Sequence, residues 1–391
     1  MKSKKLVAIG ATAVVALAGI AFTGAPAFAD PVGDGLSIVG SDTLQDAVSA
    51  LANGTTITGS SVKVSGNGLV LGSWDAFTLG VTGGVGKIQT KPFGNVFDRP
   101  NGSGAGRTAL LRSIGYNGGS GTNYIYNGVN VQDQVDLARS SSRGTVVAGG
   151  VLTYVPFGQD AISFMYKVGT DGDGDGDAAA AATWISDLTL NELTALYTST
   201  TGSPVTVSGT DYVVKPLGLQ SSSGTWTSFL SKIGVTTTSL GSGVDTRGNT
   251  IPENDGAVLT PTVDQVQIIP VSVANYIGQA NNAARINTMA GASVGSIDGV
   301  APITGSAPNL APSTVFYNSP TWGRTVFIVV PTAKITSGNP AYNQGVFDLT
   351  NPASLTSLTY WGASGSPATS KAVKLRFGFS APQDAAFTAN N

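Results

Sequence analysis

The chain has 391 residues, of which 21 are Lys or Arg and 23 are Asp or Glu, so its formal net charge is −2. It contains no histidine and no cysteine, which excludes an imidazole base, a disulfide, a thiolate metal site and a lipidated N-terminal cysteine. The balance of charge also lacks the basic surplus typical of nucleic-acid binding, so we expect no nucleic-acid partner.

The first 29 residues are typical of a secretory signal peptide. Three lysines at positions 2, 4 and 5 precede an uncharged stretch over 6–24, and Ala27-Phe28-Ala29 is an A-x-A cleavage site. The alternative is a membrane anchor, which the cleavage site disfavours, and no later stretch is apolar for long enough to span a bilayer. We predict cleavage after Ala29 and a secreted protein, periplasmic or held at the cell envelope.

Cleavage leaves 362 residues with 18 basic against 23 acidic side chains, a net charge of −5. That length predicts about two domains. Residues 36–39 form a short apolar run that predicts a buried strand, and Leu44, Val48 and Leu51 follow at helical spacing.

Three turns rich in glycine and hydroxyl residues stand directly before helix-like patterns. They occupy 40–43 (Gly-Ser-Asp-Thr), 101–106 (Asn-Gly-Ser-Gly-Ala-Gly) and 222–225 (Ser-Ser-Gly-Thr). The first turn of a helix offers unpaired N–H groups and about half a positive charge, so such turns bind anions. The alternative interpretation of each is ordinary helix capping.

The tripeptide Ser-Gly-Thr occurs three times, at 120–122, 208–210 and 223–225. The first two copies lead into strand-like residues and predict hairpin or loop turns. Only the third opens a helical pattern, with Trp226 and Phe229 on one face, and it is therefore the copy that places donors at a helix N-terminus.

Asp171, Asp173 and Asp175 copy the first half of a calcium loop, with glycine at the sixth position. Ala182 stands at the twelfth position, where a bidentate Glu is needed. The pattern favours a solvated acidic loop over a calcium site.

Further patterns predict individual elements. Thr189 and Glu192 form a capping-box pattern that predicts a helix, and 326–330 reads as a buried strand. The alternating residues of 373–379 predict a half-exposed strand.

Seven motifs, taken in order, resemble the phosphate-binding-protein branch of the type 2 periplasmic solute-binding proteins of ABC transporters. They lie at 39–46, 99–106, 135–142, 154–161, 188–193, 220–225 and 253–256, and the resemblance covers about 36 to 331. It implies an α/β fold of two lobes joined by a two-strand hinge, with crossings near 154–156 and 268–270. Lobe 1 would then comprise 30–155 and 270–391, and lobe 2 would comprise 156–269.

The resemblance also implies a ligand site shared by the two lobes and no cofactor. The residues that it places there are Ser41, Thr43, Ser103, Ser140, Ser141, Ser223, Gly224 and Thr225. We add Asp42, Gly104 and Arg139 from the same segments as candidates.

Two departures from the family pattern bear on the ligand. Ser141 stands where phosphate-binding members commonly have an Asp that accepts the proton of hydrogen phosphate, and Trp226 stands where a basic residue is frequent. Either Asp42 takes over the acceptor role, or selectivity for phosphate is weak, or the ligand differs. Arg139 and Arg143 remain as candidate cations, each with a surface ion pair as the alternative. Asp160 either lines the cleft or caps a turn.

These patterns together predict a secreted, monomeric protein that binds an oxyanion, phosphate first among them, and delivers it to an ABC transporter permease. One alternative is an extracellular or cell-surface protein that reuses the fold without transport. A phosphoester hydrolase is a further alternative, disfavoured because the sequence shows no paired set of carboxylates beside its hydroxyl groups.

Overall fold

The computed structural model describes residues 30–31, 35–77, 86–199, 205–206 and 210–391. The predicted signal peptide and positions 208–209 of the second Ser-Gly-Thr copy lie outside the described residues. Across the described ranges, none of the helices has the length and apolar character that crossing a bilayer requires.

The described strands, in chain order, are β1 (Leu36–Gly40), β2 (Leu71–Ser73), β3 (Lys87–Ile88), β4 (Phe97–Asp98), β5 (Ile125–Tyr126), β6 (Val129–Asn130), β7 (Leu137–Ser140), β8 (Leu152–Val168), β9 (Asp187–Leu188), β10 (Val205–Thr206), β11 (Val213–Pro216), β12 (Gln265–Ser272), β13 (Ser293–Val294), β14 (Ser296–Ile297), β15 (Ile303–Thr304), β16 (Ala311–Pro312), β17 (Gly323–Pro331) and β18 (Phe387–Ala389). The described α-helices are α1 (Gln45–Asn53), α2 (Ser103–Ser113), α3 (Ala178–Ile185), α4 (Leu190–Thr198), α5 (Gly224–Lys232), α6 (Val273–Ala280), α7 (Thr314–Tyr317), α8 (Thr332–Ile335), α9 (Gln344–Thr350) and α10 (Ser370–Arg376). Short 3₁₀ turns cover Asp42–Leu44 and Gly256–Val258.

The central sheet runs in the order β10-β11-β12-β8-β17-β7-β1-β2, and β13 and β18 also pair with β8. Parallel pairs join β2, β1 and β7, whereas β17 runs antiparallel to both β7 and β8. This mixed sheet with helices confirms the predicted α/β class.

Strand β8 is shared by two sections of the sheet. Its residues from Leu152 to Ala161 pair with β17, and those from Ile162 to Val168 pair with β12. The first section has a buried apolar layer on each face, since Ile38 and Val39 are fully buried on opposite faces of β1, as the alternation of a strand dictates. The second section packs against the aromatic side of α5. The two predicted hinge crossings fall within β8 and β12, and the lobe boundaries stay a prediction.

Several local predictions are confirmed. The apolar run at 36–39 forms β1, and 326–330 lies within β17. Thr189 caps α4 with a complete capping box, since its side chain accepts from the Glu192 N–H while the Glu192 carboxylate accepts from the Thr189 N–H. Ser223 caps α5 by accepting from the Trp226 N–H.

The strand predicted over 373–379 is wrong, because 373–376 form the C-terminal part of α10 and Phe377 caps it. Thr369 accepts a hydrogen bond from the Ala372 N–H and starts the helix. Val373 and Phe377 are one helical turn apart and buried, whereas Leu375 is 48% exposed. Lys374, expected to face solvent, is fully buried and donates to the carbonyl oxygens of Phe157 and Leu358. The apolar residues of this segment fit both the two-residue period of a strand and the 3.6-residue period of a helix. The helix is the arrangement that buries Val373 and Phe377.

Candidate anion-binding site

The first predicted turn lies at the carboxyl end of β1, where three elements approach closely. Gly40 has φ +109°, and a Cβ there would lie 2.6 Å from the Arg139 carbonyl oxygen and 3.3 Å from the Gly106 Cα. Only glycine fits this conformation and this spacing. The end of β1 therefore meets β7 and α2, which carry the next two predicted segments.

Three serine hydroxyls from these segments form one buried cluster. The Ser41 Oγ donates to the Ser141 Oγ at 3.0 Å, and the Ser103 Oγ lies 3.1 Å from the same atom. The Ser141 N–H donates to the Ser103 Oγ at 2.9 Å. A Cβ on Gly224 would lie 2.3 Å from the Ser141 Oγ and 2.4 Å from the Ser103 Oγ. The start of α5 therefore touches the same cluster.

Two threonines form a second cluster around a carboxylate. The Oγ1 atoms of Thr43 and Thr225 are 3.3 Å apart, and each donates to the Glu253 Oε2 at 2.8 Å. The Thr225 N–H, in the first turn of α5, lies 3.4 Å from the Glu253 Oε1. Residues 43 and 225 are thus joined through one buried anionic side chain.

Arg324 brings a positive charge to the threonine cluster. Its Nη2 donates to the Thr225 Oγ1 at 2.8 Å, and its Nη1 lies 3.3 Å from the Ser141 carbonyl oxygen. Its Nε and Nη2 also donate to the Asp160 Oδ2, at 3.0 and 2.8 Å. Asp160 is fully buried, and its Oδ1 accepts from the Ala274 N–H at the start of α6. Asp160 therefore anchors both the arginine and a helix start.

Arg139, predicted to be a ligand cation, uses all five of its N–H donors within the fold. They donate to the carbonyl oxygens of Ile38, Gly40, Ser41 and Trp74 and to the Ser73 Oγ. Its complete burial lowers the pKa to about 10, against the opposing charges of Asp75 and Asp42. Arg139 thus holds the first turn in place while adding positive charge beneath it.

Two other predicted residues point away from the clusters. The Ser140 Oγ accepts from the Arg107 guanidinium at 2.9 Å and donates to the Ser142 carbonyl oxygen. Arg143 is half exposed and pairs with Asp384 at 2.9 Å, which is the surface ion pair that was its alternative interpretation.

Asp42 and Glu253 form a buried carboxyl pair, which corrects the expectation that no such pair exists. Both Asp42 oxygens are buried, and neither receives a hydrogen bond from the described chain. Burial, reinforced by the neighbouring Glu253 charge, raises the pKa of Asp42 well above its usual value. Burial also acts to raise the pKa of Glu253, but its polar neighbours Asp42, Ser223 and Thr43 and the charge of Arg324 outweigh it and lower that pKa. A protonated Asp42 can therefore donate to an ionised Glu253.

Two helix N-termini border the clusters, and Trp226 lies in the first turn of one of these helices. α2 begins at Ser103 after Gly102, and α5 begins at Gly224 after Ser223, so two helix N-termini face the clusters with their positive dipole ends. Gly104 lies in the first turn of α2, where a Cβ would be 4.0 Å from the Ser222 carbonyl oxygen. Trp226 is 5% exposed and stacks on a phenylalanine of α5, which supports a core role.

The Asp171, Asp173 and Asp175 carboxylates do come together, with one oxygen of each within 4.8 Å of the others. Asp171 already accepts from the N–H groups of Gly174 and Gly176. The solvated acidic loop stays the favoured prediction, with calcium binding as its alternative.

Sequence reasoning missed two residues of the site. Glu253 lies in the last of the seven motifs, yet no role was assigned to it. Arg324 lies in β17, where no local pattern marks it, and it reaches the site because β17 pairs with β8. Only the pairing of β17 with β8 in the folded protein shows that Arg324 lies at the site.

Comparisons with known proteins add a structural likeness. No protein-family model matches the chain, and no curated protein sequence matches it. Among solved structures, a Clostridium perfringens protein, provisionally assigned as a phosphate ABC transporter substrate-binding protein and solved with bound phosphate, is 15% identical with a TM-score of 0.41. That match covers 81% of this chain and 93% of the other.

An ABC-type phosphate transport receptor of Vibrio cholerae is 13% identical with a TM-score of 0.38, over 76% of this chain and 87% of its own. PstS of Borrelia burgdorferi is 17% identical with a TM-score of 0.34, over 75% and 86%. The descriptions of the Clostridium and Vibrio proteins name phosphate, which is the ligand that the sequence resemblance implies. Because the TM-scores are low, the function proposed below rests on this chain's own residues.

Proposed function

We propose that the mature protein is a secreted solute-binding protein that holds an oxyanion, phosphate first among them, between two lobes. The observation that carries the proposal is the meeting of hydroxyl groups from four separate segments at two helix N-termini. These hydroxyls belong to Ser41, Thr43, Ser103, Ser141 and Thr225, which are at most 2% exposed. Hydroxyl and amide donors without an excess of formal charge suit an anion that must also be released.

The electrostatics support an anion at this point. The Arg324 guanidinium contacts Thr225 directly, and Arg139 lies beneath the first turn. The N-termini of α2 and α5 add partial positive charge. A buried carboxylate, Glu253, is already stabilised on the two threonines, so the environment accepts a negative charge.

Phosphate is preferred to sulfate in this proposal because of Asp42. An oxyanion that carries a proton can donate it to a carboxylate oxygen, which a fully ionised sulfate cannot do. Asp42 lies beside the threonine cluster with both oxygens free of donors from the described chain. When it is ionised, Asp42 can assume the acceptor role that the family gives to the position of Ser141, whereas its protonated form, which donates to Glu253, cannot.

Closure of two lobes over the ligand, and delivery to an ABC permease, complete the proposal. Ser103 and Ser141 lie in the predicted first lobe and Gly224 in the second, and their contact requires the lobes to be closed. An extracellular binding protein without a transporter has the same site, and a permease and ATPase encoded beside the gene would distinguish the two.

The carboxyl pair favours a second candidate, a phosphoester hydrolase, because the pKa values of Asp42 and Glu253 are moved in opposite directions, as in acid–base pairs. We expect no release of nitrophenol from p-nitrophenyl phosphate, with or without Mg²⁺. Turnover that Asp42→Asn abolishes would establish the hydrolase instead.

The binding proposal is tested by calorimetric titration of residues 30–391 with phosphate, arsenate and sulfate. We expect one site of low-micromolar or tighter affinity for phosphate. Thr225→Ala removes one charged hydrogen bond and should weaken binding by about 1–3 kcal/mol. Thr227→Ala is the matched control, since Thr227 is exposed on the same helix. No heat with any of the three anions would overturn the oxyanion proposal.

A further inference from the structure

Glu253 makes the contacts that a bound oxyanion would be expected to make. One of its oxygens accepts from the hydroxyls of Thr43 and Thr225, and the other faces the Thr225 N–H. Glu253 is 4% exposed, and the chain has only one other glutamate, Glu192. Its carboxylate is therefore an internal anion seated on the donors that the sequence marks for an external one.

The two donors come from opposite sides of the predicted cleft. Thr43 follows β1 in the first section of the sheet, and Thr225 opens α5, which packs on the second. Their shared bonds to the Glu253 carboxylate join the two sides directly. Both are charge-assisted hydrogen bonds, which are stronger than hydrogen bonds between neutral groups.

The backbone beside Glu253 is fixed, so its side chain is the part that can move. The carbonyl oxygen of Asn254 accepts from the Gln279 Nε2 at 2.9 Å, and the carbonyl oxygen of Ile251 accepts from the Gln220 N–H at 2.9 Å. Rotation about the side-chain bonds of Glu253 would free both threonine hydroxyls while the loop stays in place.

We propose that the Glu253 carboxylate is a built-in competitor, which bridges Thr43 and Thr225 in the ligand-free protein and must leave them before an oxyanion binds. This inference rests on the proposed function. It follows from charge as well as from contacts, because an ionised carboxylate on the same donors repels an incoming anion wherever no proton lies between the two. Glu253 thereby lowers the affinity of the site and keeps the ligand-free protein closed.

The test compares wild type with Glu253→Ala and Glu253→Gln, and Glu192→Ala is the control with the same chemical change outside the site. Phosphate affinity is measured by calorimetry, and hydrogen exchange of 41–44 and 223–226 is measured without ligand. We expect Glu253→Ala to bind phosphate at least about tenfold more tightly, since it removes two charged hydrogen bonds that the ligand must replace. The neutral amide of Glu253→Gln should give a smaller gain.

Exchange in both segments should be faster in Glu253→Ala than in wild type, because the bridge is gone. Thermal unfolding shows whether each variant is folded, and Glu253→Gln keeps the shape of the side chain if Glu253→Ala does not fold. Phosphate affinity that is unchanged or weaker in the folded variants would overturn the competition. Unchanged exchange would overturn the bridge.

Failure of the proposed function gives a different result. If neither wild type nor Glu253→Ala binds phosphate, arsenate or sulfate, the oxyanion proposal fails, and the exchange rates still decide whether Glu253 joins the two segments. Binding by Glu253→Ala alone supports both proposals.

Discussion

Arg324→Ala is expected to be among the most damaging single substitutions at this site. Arg324 and Asp160 are buried, with 7% and 0% of their side chains exposed, and two guanidinium nitrogens lie 2.8 and 3.0 Å from one Asp160 oxygen. Removing the arginine leaves the carboxylate buried with the Ala274 N–H still donating to it. Breaking such a pair from one side destabilises a protein by about 3–5 kcal/mol.

The assay is chemical denaturation of the ligand-free protein at neutral pH, so the result does not depend on which ligand binds. Asp160→Asn is measured alone and combined with Arg324→Ala. The double variant removes both charges, and we expect it to lose less stability than the sum of the two single variants, by about 0.5–3 kcal/mol. Arg143→Ala is the control, because its partner Asp384 is on the surface and such pairs contribute about 0–1 kcal/mol.

A loss below about 1 kcal/mol for Arg324→Ala would refute this reasoning. Strict additivity in the double variant would refute it as well, because the two side chains would then not depend on each other for burial.

Two further predictions concern packing and pH. Gly224→Ala should weaken oxyanion binding by about 1–3 kcal/mol in the same calorimetric titration, since its Cβ would lie 2.3 Å from the Ser141 Oγ. Gly365→Ala is the control, because Gly365 is exposed outside the site and its Cβ would meet no atom within 4 Å. Equal affinity of both variants would contradict the close approach. Burial, with the Asp75 charge adding to it and Arg285 opposing it, raises the pKa of Asp46 from 3.8 to about 6. The folded state then holds this proton longer than the unfolded state, so ionisation of Asp46 lowers stability as pH rises from about 4 to about 6, by at most about 3 kcal/mol. Asp46→Asn avoids that loss and should gain on wild type across this range in denaturation at several pH values, whereas a constant difference would contradict the buried carboxyl.

Local features of the fold could be predicted where a short pattern determines them. The caps of α4 and α5 need only residues three apart, and both are present. The segment 373–379 shows the limit, because its apolar residues satisfy both a strand and a helix. The fully buried Lys374, bonded to two carbonyl oxygens, is a tertiary feature that neither period predicts.

The sequence indicated which hydroxyls would lie close together, and their role in ligand binding stays a prediction. The structure joins the hydroxyls of Ser41, Ser103 and Ser141 in one cluster and those of Thr43 and Thr225 in another. The charged side chains depend on pairing across long separations. Arg324 contacts Asp160, which lies 164 positions earlier in the chain, because β17 pairs with β8. The Arg139 side chain donates to backbone carbonyl oxygens that come together only in the folded sheet.

A crystal structure of the mature protein grown with millimolar phosphate tests the central claim most directly. The account predicts a tetrahedral anion within hydrogen-bonding distance of the Thr225 N–H and the Ser141 Oγ, with the Glu253 carboxylate turned away from Thr43. Retention of the Glu253 bonds to Thr43 and Thr225, with no anion between the two hydroxyl clusters at that concentration, would contradict it.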